Sequence, residues 1–283
     1  MIGLIRFLPF DDGLADRSGI LTGVGLLTAF YAALVGITEA NPKTVLAYSS
    51  VSQMGLVAAV LDMGLAAGGG VTTAAAFYAA HHVLAKGALF LSVGVAAATG
   101  AGRLWPVPAV VLALGFGGLP LTGGALAKLA IEPALEEGVV GVLATLAAAG
   151  STVLMLHFLH RLMSSAALDP EATAPAGLAA PWLALALAAV AIPWAIFLTA
   201  GIGTLDDALA PAALWKALWP VLLGAMLSVG LRRWGHRLPR VPEGNLVVMA
   251  ERAARTSLLL ETRWSGPTWC CDSGRSQACR CSR

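Results

Sequence analysis

The sequence predicts an all-α fold: a polytopic membrane helix bundle of about seven transmembrane helices, one or more of them broken. Three observations predict it. Hydrophobic residues make up 58% of the 283 and charged residues only 12%, about half the ionic share of a soluble domain. The mean hydropathy is +0.78. The few charges lie between apolar runs of ~20 residues, each long enough to cross a bilayer core as a helix. Helix is the form that satisfies backbone groups in lipid within their own segment.

In chain order, the expected spans are 18–38, 43–65, 71–99, 107–135, 139–163, 177–200 and 213–232. Residues 1–17 read as the remnant of a preceding helix or an outside segment. Their apolar start is interrupted by Arg6 and lacks the basic beginning and small-residue cleavage site of a signal peptide. The first span stops before Asn41-Pro42, and Pro42 suits the first turn of the second. The second span carries a polar run, SSVSQ, and the third carries YAAHHVLAKGALF. The fourth holds GFGGLPLTGG. Proline deletes a backbone bond and glycine loosens a turn, so Gly117, Gly118, Pro120, Gly123 and Gly124 are expected to break this helix. Carbonyls freed there would bind water beside Lys128. Small residues are abundant along the chain, with 32 glycines and long alanine runs, which suits close helix packing. Trp194, Trp215 and Trp219 fit the interface belts. The transmembrane bundle thus covers 18–232, and 233–283 form a tail expected to be disordered at its end.

Charge sets orientation. Lys43, Arg103, Arg161 and the group Arg232, Arg233, Arg237 and Arg240 fall on one side of the spans. The alternate loops carry Asp62, then Glu132, Glu136 and Glu137, then Asp206 and Asp207. The positive-inside rule then puts the N-terminus outside and the C-terminus in the cytoplasm of a cell (inner) membrane, although Arg6 and Arg17 run against it. The net charge of +2, with no basic patch interleaved with aromatics, excludes nucleic acid as a partner. The lipid bilayer is the first partner. No nucleophile–base pair, phosphate loop or dinucleotide fingerprint is present, so neither a catalytic centre nor a cofactor is expected. Cys270, Cys271, Cys279 and Cys281 do not form CxxC knuckles and have no histidine near, which argues against a metal site.

Three segments could carry chemistry. Tyr78, His82 and Lys86 are four apart and stack on one helix face. A lysine at mid-span costs about 2.5–3.5 kcal/mol on insertion scales, and such a residue normally faces a polar interior and marks an ion path. Imidazole titrates at ~6.5, so His82 is a natural proton carrier. The bland alternative is that both only hydrogen-bond a neighbouring helix. His81 points about 100° away and reads as structural. In the second segment, Lys43 and Ser50 share a face, and Ser49, Ser52 and Gln53 add groups that relay protons without burying a charge. Lys43 could equally be a snorkelling boundary lysine. In the third, Lys128 follows the break by about two turns; its alternative is an end-of-span lysine. Lys43, Lys86 and Lys128 are all expected to face protein rather than lipid, because of their insertion cost. His157 and His160, beside Arg161, read as interfacial anchors.

In this order, LTAFYAALVGITEANPKTVLAYSSVSQMGL, AFYAAHHVLAKGALFLSVG and GLPLTGGALAKLAIEPAL resemble the second half of the antiporter-like, proton-translocating membrane subunits. These occur in respiratory complex I (L-, M- and N-type chains), membrane-bound hydrogenases and multi-subunit cation/proton antiporters. LPRVPEGNLVVMAERAAR is most similar to the antiporter D-type. The resemblance covers roughly residues 14–255. It implies two inverted repeats, each with a broken helix and a half-channel, joined by a line of lysines, histidines and glutamates. By position, Lys43 corresponds to the lysine of "DxK…LAYSS", His82 and Lys86 to those of "HAxxKAxLF", and Lys128 to the residue near the exit. Asn41 stands where aspartate is usual, Glu39 where glutamine is usual, and Tyr78 where some members carry another histidine. Glu39 is a candidate replacement partner for Lys43. The resemblance implies proton movement, with sodium as an open second ion, beside other membrane subunits of a multi-subunit complex such as an NADH:quinone oxidoreductase. It also implies that the first repeat, with its glutamate–lysine pair, lies upstream of this chain. The alternative function is therefore a truncated or split fragment, structural or inactive unless a partner supplies that repeat.

Overall fold

The computed structural model describes residues 19–66, 71–100, 105–135 and 138–234. The expected 1–17 remnant, Arg103, Glu136, Glu137 and the tail beyond Trp234 with its cysteines lie outside the described residues. The helices are α1 (Ile20–Gly36), α2 (Pro42–Ala66), α3 (Val71–Ala97), α4 (Pro106–Gly117), α5 (Gly123–Ile131), α6 (Val139–Met163), α7 (Ala176–Thr199), the short α8 (Leu205–Leu209) and α9 (Pro211–Trp234). A 3-10 turn, Glu132–Ala134, extends α5. Among the described residues five helices, α2, α3, α6, α7 and α9, are long and apolar enough to cross a membrane. Of the two other expected spans, the first is the shorter apolar α1 and the fourth is divided between α4 and α5. The chain is a polytopic helical membrane protein.

Local chemistry sets the helix ends. Asn41 Oδ1 accepts from Lys43 N at 2.9 Å and caps α2, whose first residue is Pro42. A capping box, Thr204 with Asp207, starts α8. The Thr204 hydroxyl and N–H both donate to Asp207, holding its carboxyl below the usual range.

Helices α1 and α2 meet backbone to backbone. A Cβ on Gly25 would lie 2.5 Å from Gly55 O, and one on Gly55 would lie 2.5 Å from Gly25 O, the close approach that small residues permit between membrane helices. Asp62 corrects its reading as a loop acid. It lies within α2, is 6% exposed, and accepts from Gly19 N, Thr22 N and Thr22 Oγ1, each at 2.8 Å. One carboxylate thereby caps another helix's start, satisfying donors that have no partner within α1.

Helix α3 is central: it packs on α2, α5 and α7, while α6 packs on α1, α2, α4 and α9. One apolar cluster, with Leu46, Leu89, Phe116, Phe158 and Trp182, lies on one side of the α3 polar residues. A second, with Leu61, Phe77, Leu126 and Phe197, packs around the opposite end of α3.

Candidate functional site

The break in the fourth span is where its glycines and proline are. Helix α4 closes with Gly118 at φ +104°; Gly118 N donates to Gly115 O at 2.9 Å and Leu119 N to Leu114 O at 3.1 Å. This pair of bonds is a Schellman closure, which needs a left-handed residue after the helix. Leu121 follows at φ +65°, a strained conformation for a side-chain-bearing residue. Thr122 then caps α5, accepting from Ala125 N at 3.4 Å.

Side chains take the carbonyls the break sets free. Lys128 Nζ donates to Gly117 O at 2.5 Å, Thr122 Oγ1 to Leu119 O at 2.7 Å, and Trp194 Nε1 to Leu121 O at 3.1 Å. Lys128 is long enough to reach back across the break and bind one of these carbonyls itself. A cavity of about 350 Å³ opens beside this contact, lined among others by Pro120, Lys128, Glu132, Trp194 and Lys216. Glu132 and Lys216 pair at 2.5 Å on its wall.

On α3, Lys86 is 5% exposed. Its Nζ donates to Leu46 O at 3.2 Å, a carbonyl that also accepts from Ser50 Oγ at 3.0 Å. The ammonium lies 4.8 Å from the centroid of the Phe116 ring, a cation–π distance. His82 meets the same ring edge-on at 5.5 Å, and His81 meets it at 5.6 Å. Phe116 is the penultimate residue of α4, so the three basic side chains of α3 gather against the end of the broken helix. Both His81 ring nitrogens, His82 Nδ1 and Ser49 Oγ are buried without a protein partner.

A second polar line runs between α3, α2 and α6. The Tyr78 hydroxyl donates to Gln53 Oε1, and Gln53 Nε2 donates to Ser151 Oγ at 2.7 Å. Ser52 instead donates to Ala29 O on α1 at 2.9 Å, facing away from α3.

Lys43 is exposed on the first turn of α2, contrary to the expectation that it faces protein. The cap at Asn41 fixes where α2 begins, and Lys43 leaves the bundle at that boundary. Glu39 is buried at the α1–α2 connection, where His157 Nε2 donates to its carbonyl at 2.8 Å and Arg161 Nε donates to Ala40 O at 2.6 Å. His157 and Arg161 therefore grip the α1–α2 connection. The structure brings Lys86, His82, Ser50 and the α4–α5 break with Lys128 into one region, and Tyr78 with Gln53 into a neighbouring line. It does not bring Lys43 to them. Sequence reasoning missed Phe116, Ser151 and Lys216 as parts of the site and set His81 aside. The His81–His82 doublet was the visible signal, since two adjacent histidines on a buried helix cannot both point outward. No group of residues able to hold a metal ion occurs among the described residues.

Residues 1–155 match the family described as "NADH:quinone oxidoreductase/Mrp antiporter, TM". The chain belongs to that family. The match takes in α1 to α5 and most of α6, and so every site residue named above up to Ser151. The chain is similar to "NADH-quinone oxidoreductase subunit N" of Acidothermus cellulolyticus, 30% identical over 218 residues, 70% of this chain and 40% of that protein. It is 37% identical over 89 residues to "NADH-quinone oxidoreductase subunit L" of Rhodobacter capsulatus, 31% of this chain and 12% of the relative. Over 101 residues it is 33% identical to a Na(+)/H(+) antiporter subunit of Alkalihalophilus pseudofirmus, 32% of this chain and 12% of the relative. The chain thus spans 40% or less of the length of these relatives.

Proposed function

We propose that this chain is a proton-translocating membrane subunit of a complex I-like or multi-subunit cation/proton antiporter assembly. Protons pass through a buried relay of Lys86, His82 and Lys128. The observation that carries the reading is Lys86, an ammonium-bearing side chain 5% exposed within a membrane helix and held by a backbone carbonyl and an aromatic face. A fixed structural cation at such depth normally has a carboxylate beside it. A group that gains and loses a proton needs acceptors that tolerate both states, which a carbonyl and a ring do.

Within this reading, Ser50 and Ser49 lead from Lys86 along α2, and Tyr78 with Gln53 supports α3 against α2. Lys128 hands the proton to the cavity at the break, on the outer side, with the N-terminus outside and the C-terminus cytoplasmic. Lys43 and Glu39, at the opposite boundary, belong to the region where a neighbouring subunit supplies the rest of the path. The bundle 18–232 corresponds to the second repeat of the family core plus extra helices, and protons are the preferred ion over sodium because the relay holds nitrogen bases rather than carboxylates.

The test uses membrane vesicles from cells that produce the full chain with its native neighbours. A potassium diffusion potential drives the flux and a trapped pH dye reports it. Lys86→Met should lower proton flux at least ~10-fold, the scale on which a positioned acid–base group acts, while the chain remains in the membrane. Unchanged flux would favour the alternative, a structural or inactive subunit.

A further inference from the structure

We propose that His81 carries the proton across the helix break, between the Lys86–His82 pair and Lys128. This rests on the proton-relay reading above and adds a member to it. His81 is 4% exposed, and neither Nδ1 nor Nε2 has a protein partner. Buried imidazoles ordinarily bond through at least one nitrogen, so a histidine serving only as packing is poorly explained here.

Both nitrogens face the first turn of α5. A Cβ on Gly123 would lie 2.7 Å from Nδ1, and one on Gly124 would lie 3.3 Å from Nε2. The two glycines that begin the second half-helix are therefore the space into which the imidazole fits. On the other side His81 shares the Phe116 ring with His82 and Lys86. The helix that begins with those two glycines is the one that carries Lys128. Phe116 offers no site for a proton, and it lies against all three α3 bases where α4 ends. A proton leaving Lys86 for Lys128 has the two imidazoles as the groups that go around the ring.

The step balances on His81 itself. The neutral ring accepts a proton on the nitrogen nearer His82, forming one N–H bond. It then releases the proton of its other nitrogen toward Lys128, directly or through a water molecule, breaking one N–H bond. The ring ends neutral, with its tautomer exchanged, and a ring turn or a return transfer restores it.

The experiment is the vesicle assay with the full chain in its native membrane. His81→Gln keeps a hydrogen-bonding side chain of similar reach but cannot ionise. It should lower flux at least ~10-fold, with the amount of chain in the membrane and its thermal midpoint in detergent unchanged. His81→Ala should show the same loss and regain flux when imidazole is added, an effect that lost packing would not produce. Wild-type flux in His81→Gln, while Lys86→Met remains inactive, overturns the role of His81 and leaves the relay reading standing. A loss in His81→Gln that tracks disappearance of folded chain also overturns it, in favour of packing. If Lys86→Met conducts normally, the relay reading and this addition fall together.

Discussion

Replacing Lys128 with methionine separates charge from architecture. The side chain is half-buried, and its Nζ donates to Gly117 O at 2.5 Å across the break. Removing a lysine from mid-membrane relieves about 2.5–3.5 kcal/mol of insertion cost. Losing a hydrogen bond from a charged donor costs about 1.5–3 kcal/mol. The two terms nearly cancel, and methionine has similar length and fills the same space, so Lys128→Met should change stability by no more than ~2 kcal/mol in either direction. Proton flux should nevertheless collapse, since methionine has no proton to exchange. Unfolding in mixed micelles, followed by tryptophan fluorescence, gives the first quantity, and dye-loaded vesicles give the second. A destabilisation beyond ~4 kcal/mol, or failure to insert, would mean that Lys128 serves chiefly to tie the two half-helices together. Normal flux in a stable variant would remove it from the relay.

Two further outcomes concern the packing that holds the site. Gly55→Ala would place a Cβ 2.5 Å from Gly25 O and 2.9 Å from Ala29 N, backbone atoms that cannot rotate aside. The overpacking should cost ~1–3 kcal/mol in the same unfolding assay, and a neutral result would refute the close crossing of α1 and α2. Tyr78→Phe removes the donor to Gln53, whose side chain is 1% exposed. An unpaired buried acceptor should cost ~1–3 kcal/mol, and undiminished stability would mean that the bond contributes nothing.

The helical class, the break and the burial of Lys86 were legible because each follows from a cost that no neighbour can waive. Apolar length forces a helix in lipid, Gly-Gly-x-Pro forces an interruption, and a mid-span ammonium forces an inward face. The side-chain partners were less legible. The polar and apolar residues of α2 are spread around the helix, so its sequence carries no stripe to say which side faces α3. Thus Lys43 and Ser52, both expected among the polar groups near Lys86, turn out to be exposed and directed at α1 respectively. Asp62 read as a loop residue because a carboxylate near the end of a span has a cheap place in water. Its three donors sit about forty residues earlier in the chain, beyond any local pattern. The contacts of Phe116 with Lys86, His82 and His81 likewise depend on how α4 crosses α3, which sequence spacing does not encode.

The Asp62 contact also bears on how the chain enters the bilayer. Helix α2 carries a carboxylate that becomes buried, and its three donors all come from Gly19 and Thr22, already synthesised when α2 emerges. A lone α2 would bring an unpaired acid toward lipid, which is costly. Paired with α1 it brings a satisfied one, at the start of a helix whose free amides welcome negative charge. With Gly25 and Gly55 letting the two backbones touch, biogenesis has reason to deliver α1 and α2 together as a hairpin. The helices that carry Lys86 and Lys128 then assemble against a wall already standing.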